Sequence, residues 1–194
     1  MLNFNGIWAL PFLYEQHGIA GHVLGGWEVS GLAFVNSGLP LNATTSGLDP
    51  AGVGFLGSSA AGGRPDRIGD PNADNSAYKI HTRQHWFNVG ALAAVPAGQF
   101  RGGNFQRNSI EGPGWWRADV GLFKNVRIYE RLQLQLRGEA YNVFNHSNPD
   151  AVAVASVVNG FNATTGVTSY SSTAGNVTSY RDKRILQLGA KIVF

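Results

Sequence analysis

His81 and His85 stand four residues apart in His81-Thr82-Arg83-Gln84-His85, a spacing that on a helix would offer two imidazoles to one metal ion. The run lacks the glutamate of the zinc-protease motif, and a solvated loop is the reading expected for it. Asp66, Asp70 and Asp74, set among asparagines, could supply oxygen ligands to calcium, but their intervals miss the EF-hand pattern and turn formation explains them better. Serine, histidine and aspartate all occur without a G-x-S-x-G elbow or other nucleophile context. With 0 cysteines, thiol nucleophiles, thiolate metal sites and disulfide frameworks are excluded together. No catalytic residue, metal ligand or cofactor is expected, and the chain is not read as an enzyme. What remains is recognition by rings. Trp86, Phe87, Tyr170 and Tyr180 fall in polar stretches where they could stack on a ligand, although aromatics in such stretches more often pin the loop itself.

The elements that must hold those stretches are strands. From Arg184 to Phe194 the chain alternates, with Leu186, Leu188, Ala190, Ile192 and Phe194 on one face and Ile185, Gln187, Gly189, Lys191 and Val193 on the other. The segment has the about 9–11 residues that a tilted strand needs to cross a bilayer. Residues 2–12 place Leu2, Phe4, Gly6, Trp8, Leu10 and Phe12 together, with Pro11 tolerable only near the strand end. In residues 25–36, Trp27, Val29, Gly31, Ala33 and Val35 oppose a more polar row that Leu32 and Phe34 interrupt. Residues 115–127 set Trp116, Ala118, Val120, Leu122 and Val126 against Arg117, Asp119, Gly121, Asn125 and Arg127. Lys124 breaks the apolar row at a place where a lysine can snorkel to headgroups. Residues 131–142 are the clearest strand, with Leu132, Leu134, Leu136, Gly138 and Ala140 on one side and Gln133, Gln135, Arg137, Glu139 and Tyr141 on the other. Only Ile128 to Arg131 separate the last two, which predicts a tight hairpin whose loop parity keeps Val126 and Leu132 on one face.

Between these strands lie two long stretches, 37–112 and 143–183, rich in glycine, asparagine and serine. G-L-P, L-D-P, R-P-D and G-D-P-N-A-D-N punctuate the first with turns, and His85 to Leu92 could form a short helix or hairpin within it. The other connections, Leu13 to Leu24 and Ile128 to Arg131, are short. If the C-terminus is periplasmic, both short connections fall on the periplasmic side and both long ones outside, the asymmetry of transmembrane barrels. The expected fold is therefore all-β: an antiparallel transmembrane β-barrel segment of about five strands, incomplete as a barrel, with two long extracellular loops. The alternation alone fits a soluble sandwich as well, with the leucine rows as its core. Favouring lipid are stripes that mix leucine with glycine and alanine, tryptophans at strand starts (Trp27, Trp115, Trp116), and the lopsided loops.

Composition narrows the partners. No run of about 18 apolar residues exists to form a membrane helix, which leaves membrane strands open. The net charge of +3 is spread along the chain without a basic tract, so nucleic acid is not an expected partner. Met1-Leu2-Asn3-Phe4-Asn5 has neither the basic start nor the apolar core of a secretory signal, and a chain placed outside the cytoplasm is expected to be the tail of something longer.

In combination, L-P-F, G-G-W-E-V-S-G-L-A-F-V-N-S-G-L-P, R-P-D-R-I-G-D-P, G-P-G-W-W-R-A-D-V-G-L-F-K-N-V-R-I and E-R-L-Q-L-Q-L-R-G-E-A-Y-N-V-F-N-H-S-N-P, with a closing strand that ends in Phe, resemble the C-terminal barrel strands of TonB-dependent outer-membrane receptors. The likeness is closest to the acidobacterial type related to the Oar proteins, which carry a carboxypeptidase-regulatory-like domain. It implies a barrel of about 22 strands, an N-terminal plug and a TonB box, neither of which is in this chain. It also implies nutrient uptake driven through TonB, and Phe194 as the signal read by the barrel assembly machinery.

Function is then expected to be that of a barrel portion of a receptor in the bacterial outer membrane. Leu132, Leu134, Leu136, Leu186, Leu188 and Ile192 would face lipid. The partners would be outer-membrane lipid, the assembly machinery, the plug and remaining strands, TonB through them, and a small nutrient. A soluble, lectin-like all-β module using loop aromatics is the alternative, and a hydrolase with an unrecognised site the third reading.

Overall fold

A computed structural model describes residues 1–13, 15–46, 48, 63–96, 98–129 and 132–194. Tyr14, Asp49 and Pro50 of the L-D-P turn, and Glu130 and Arg131 of the predicted hairpin lie outside the described residues. The elements in chain order are β1 (Leu2–Ala9), α1 (Gly18–Leu24), β2 (Trp27–Asn36), β3 (Asp66–Arg67), β4 (Leu92–Ala93), β5 (Trp115–Tyr129), β6 (Leu132–Tyr141), β7 (Pro149–Val152), β8 (Val158–Asn162), β9 (Val167–Tyr170), β10 (Val177–Tyr180) and β11 (Ile185–Val193). The chain divides into two compact units, one of Met1–Asn36, Trp115–Asn148 and Arg181–Phe194, the other of Ser37–Gly114 and Pro149–Tyr180.

The first unit is one open antiparallel sheet in the order β1-β2-β5-β6-β11. Its register explains why the alternations seen in sequence agree with one another. Phe4 lies opposite Ala33, Ala33 opposite Ala118, Leu122 opposite Gly138, and Gly138 opposite Leu188. Directly paired residues share a face, so the apolar rows of all five strands fall on the same side.

The strand limits move for local reasons. β1 stops at Ala9 rather than Phe12, since Leu10 N–H already donates to Trp27 O at 2.9 Å and Pro11 has no N–H to continue the ladder. β5 runs on to Tyr129, which pairs with Leu132, and a register shift between Arg127 and Tyr129 takes up the odd residue that the parity of the hairpin requires. The connection before β2, read from sequence as a short connection, contains the seven-residue helix α1.

The two long stretches are not structureless loops. Together they form the second unit, with its own apolar core of Phe87, Leu92, Phe105, Ile110, Val157 and Val158 and neighbours. Short ladders β3–β4, β7–β10 and β8–β9 organise it, and bridges join Leu41 to Ile110 and Thr45 to Val158. Many of its backbone hydrogen bonds lie outside regular strands: Trp86 N–H with Gly175 O, Val177 N–H with Arg83 O, Val157 N–H with Thr44 O. Such pairing satisfies buried backbone polarity without any sequence period. Residues 85–92 contain a single 3-10 turn, Val89–Ala91, leading into β4.

Candidate functional site

The apolar face of the sheet runs from Leu2, Phe4 and Trp8 through Val29 and Ala33, Val120 and Leu122, and Leu134 and Leu136, to Leu186, Leu188 and Ile192, broken at Lys124. Much of it is bare, with Leu186 71% and Leu188 89% exposed. Leu136 and Ile192 are exposed as well, and Leu132 and Leu134 are half-buried. An uncovered apolar surface of this extent is what a single-layer sheet presents to a non-aqueous neighbour. Phe194 follows β11 and is almost fully exposed.

Lys124 is the one charge on that face. Its amine donates to Gly25 O and lies 5.3 Å from the ring centroid of Trp27, the residue directly opposite, so the cation is engaged within the chain.

The opposite face is a ladder of polar side chains. Arg117 grips Asp119 through two nitrogens at 2.7 and 2.6 Å, and Asp119 Oδ1 also accepts from Asn142 N–H at 2.8 Å. The Arg117 guanidinium lies 5.7 Å from the ring centroid of Tyr141. One step along, Arg137 Nε donates to Gln135 Oε1 at 2.6 Å, Gln135 donates to Asn125 Oδ1 at 2.8 Å, and the Arg137 guanidinium sits 5.6 Å from the Phe123 ring centroid. A concavity of about 580 Å³ on this side includes Asn5, Ser30, Asp119, Glu139 and Tyr141 in its wall. A Cβ at Gly121 would lie 2.5 Å from Ser30 Oγ and 2.8 Å from the Phe123 ring, so a larger residue there would have to displace both side chains.

β5 outruns both neighbours, and side-chain amides complete its ladders. Past the end of β2, Gln16 donates to Asn125 O at 2.7 Å and accepts from Arg127 N–H at 3.2 Å. Past the end of β6, Asn148 donates to Trp116 O at 2.8 Å and accepts from Trp116 N–H at 3.0 Å. Sequence reading missed both, since an isolated amide in a polar stretch carries no periodic signal. At that same end of β5, the Trp116 ring stacks on His146 with 4.5 Å between centroids.

In the second unit the aromatics proposed to meet a ligand have structural partners. Phe87 is 1% exposed and belongs to the core, which corrects its candidacy: a ring sealed among Val89, Leu92 and Phe105 has no face to offer. Trp86 packs against that core and donates to Glu111 O at 2.8 Å. Tyr170 donates to Leu92 O at 2.7 Å, and burial raises its phenol above the ordinary range. Tyr180 remains exposed at the end of β10. The four are not gathered into one cleft. A cleft of about 220 Å³ lies elsewhere in the unit, between Asn42, Thr44, Arg64, Phe105, Gln106 and Arg107.

His81 has a left-handed backbone and rests against the Trp86 ring, while His85 stacks on Tyr78, so the i,i+4 spacing is not helical and the two rings have other neighbours. Asp66 takes a bidentate pair with Arg101 at 2.7 and 2.6 Å, Asp70 accepts from Asn72 N–H, and Asp74 from Ile80 N–H. These are turn and clamp roles. Among the described residues no group of three or more His, Cys, Asp or Glu is arranged to hold a metal ion.

The chain matches, over residues 1–187, the model of a family described as an outer membrane beta barrel domain. Neither the curated proteins nor the solved structures yield a match. Five antiparallel strands with one bare apolar face and one hydrogen-bonded polar face are what a sector of such a barrel requires, open here at both outer strands. The chain belongs to the outer membrane beta barrel domain family and resides in the bacterial outer membrane.

Proposed function

We propose that this chain is the C-terminal barrel part of a TonB-dependent receptor, serving nutrient uptake rather than catalysis. In this reading the face bearing Leu132, Leu134, Leu136, Leu186, Leu188 and Ile192 meets lipid, and the ladder from Arg117 to Glu139 lines the lumen. The observation that carries it is the apolar face across five hydrogen-bonded strands, set against a polar face on which Arg117 pairs with Asp119 and Arg137 donates to Gln135.

The dimensions agree. Trp27 lies opposite Lys124, and Trp116 sits eight residues earlier on β5. That separation is about 27 Å along a strand, or about 20 Å along the membrane normal at a tilt of about 40°, close to the apolar band of about 25 Å in such barrels. Trp8 and Trp27 near one end and Trp116 near the other fit interface girdles. The second unit is inserted where β2 and β6 end, so the long segments leave the sheet from a single end, taken as the cell-surface side. There they would meet an unidentified nutrient, Tyr180 and the Arg64–Arg107 cleft being accessible to one. Phe194 would present the assembly signal, and the plug and remaining strands would link the chain to TonB.

The test is in-cell cross-linking of the full-length product, followed by purification from outer membranes. TonB in the cross-linked complex is the expected result. A full-length product recovered in the soluble fraction, or one in the membrane that never cross-links to TonB, overturns the reading.

A further inference from the structure

Helix α1 is assembled inside out for a helix in water. Its buried residue is Gly21, and the Gly25 that follows it is buried too. A Cβ at Gly21 would lie 2.6 Å from the carbonyl carbon of Gln16, so the glycine edge is pressed against the chain. Ile19, Ala20, Val23 and Leu24, spaced i, i+1, i+4, i+5 and hence one stripe of the helix, all point outward. Ile19 is 86% exposed, and Phe12 and Leu13, which precede the helix in sequence, are exposed too.

The helix is also fastened to a particular place. Trp27 Nε1 donates to Val23 O at 3.1 Å, and the Lys124 amine donates to Gly25 O. Trp27 and Lys124 are directly paired on the apolar face of the sheet. The outward stripe of α1 is therefore continuous with the leucine face, at the end of the sheet where β1 leads into β2.

We propose that α1 lies on the inner leaflet of the outer membrane, with Ile19, Val23 and Leu24 seated at the boundary between phospholipid headgroups and acyl chains. The proposal rests on the lipid-facing reading of the leucine face. Three observations select lipid as the occupant: the surface continues that face, the stripe carries no charge, and the helix is anchored by a tryptophan and a lysine of the kind that settle at membrane interfaces. At seven residues α1 spans about 10 Å, too short to cross a bilayer and suited to lie along it.

The test places a nitroxide on single cysteines in the full-length protein, reconstituted in phosphatidylcholine–phosphatidylglycerol vesicles. This chain contributes no other thiol. Variants Ile19→Cys, Val23→Cys, Leu188→Cys and Gln187→Cys are compared by power saturation with oxygen and with an aqueous nickel chelate. The expected result is oxygen-dominated relaxation at positions 188, 19 and 23, deepest at 188, and nickel-dominated relaxation at 187. A nickel-dominated label at 19 and 23 with 188 still in lipid overturns the seating of α1 alone. A label at 19 and 23 shielded from both reagents means that a protein covers the helix, and overturns it too. A nickel-dominated label at 188 overturns the orientation of the sheet on which it rests.

Discussion

The carboxamide of Asn148 exchanges two hydrogen bonds with the backbone of Trp116, donating to its carbonyl at 2.8 Å and accepting from its N–H at 3.0 Å. One side chain thus supplies what a neighbouring strand would. Gln16 does the same for Asn125 and Arg127 at the other end of β5. Replacing Asn148 by Ala leaves the partly buried N–H and carbonyl of Trp116 without these partners and should cost about 1 kcal/mol. Asn148→Asp, which keeps only an acceptor, should fare no better. Gel shift between folded and unfolded forms, followed against temperature in detergent, is the measurement. Unchanged midpoints in both variants would mean that water replaces the amide without loss.

The two faces should tolerate charge differently. Val120 lies between Gly31 and Ala140 on the apolar face, midway along β5 between Trp116 and Lys124, and Val120→Arg should cost about 2–4 kcal/mol near mid-bilayer and block membrane assembly. Gln187 lies opposite Glu139 on the polar face, and Gln187→Arg should assemble normally. Fractionation of outer membranes reads both. Equal assembly of the two variants contradicts the assignment of faces.

Phe87 separates packing from recognition. Truncating a buried phenylalanine typically costs about 3–5 kcal/mol, so Phe87→Ala should open the second unit to limited proteolysis. Because the ring belongs to that unit's own core, strands β1, β2, β5, β6 and β11 should remain protected. Resistance equal to the parent protein would argue against the core role.

Acid should loosen the same unit through Asp66. The bidentate hydrogen bonds from Arg101 hold its carboxyl below the ordinary 3.8. Between the folded and unfolded values the unfolded chain binds more protons, so stability rises with pH across that window. The contribution is complete above the unfolded value, near pH 4, and is lost as pH falls through the lower folded one. Asp66→Asn should therefore be less stable than the parent at pH 7, with the difference closing as pH falls through the lowered folded value. Protease susceptibility against pH follows this, and a gap that persists into acid would locate the effect elsewhere.

The barrel strands were legible because apolar residues recur at alternate positions in each of them, with Lys124 the exception in β5. Apart from the β5–β6 hairpin the pairing was not read from the sequence, but the alternations restrict it, since a one-residue slip would turn a leucine row over. The second unit obeys no such rule. Phe87, Leu92, Phe105, Ile110, Val157 and Val158 are scattered over two segments and meet through long-range backbone bonds, and glycine-rich turns between them read as loop. Helix α1 escaped for a different reason. It is short, has glycines at 18 and 21, and turns its apolar stripe away from the chain, so nothing in its neighbourhood echoes its period. For the site, the polar row was readable, but the amides of Gln16 and Asn148 were not, because their partners are backbone groups at ladder ends.

Each of the four pairings in the order β1-β2-β5-β6-β11 reverses the chain, so β1 and β11 head the same way. A second copy set beside the first would therefore bring β11 against β1 in parallel, and a ring of such copies could never be antiparallel throughout. Parity then governs the circumference: whatever fills the gap between the two outer strands must number odd, and the finished cylinder even.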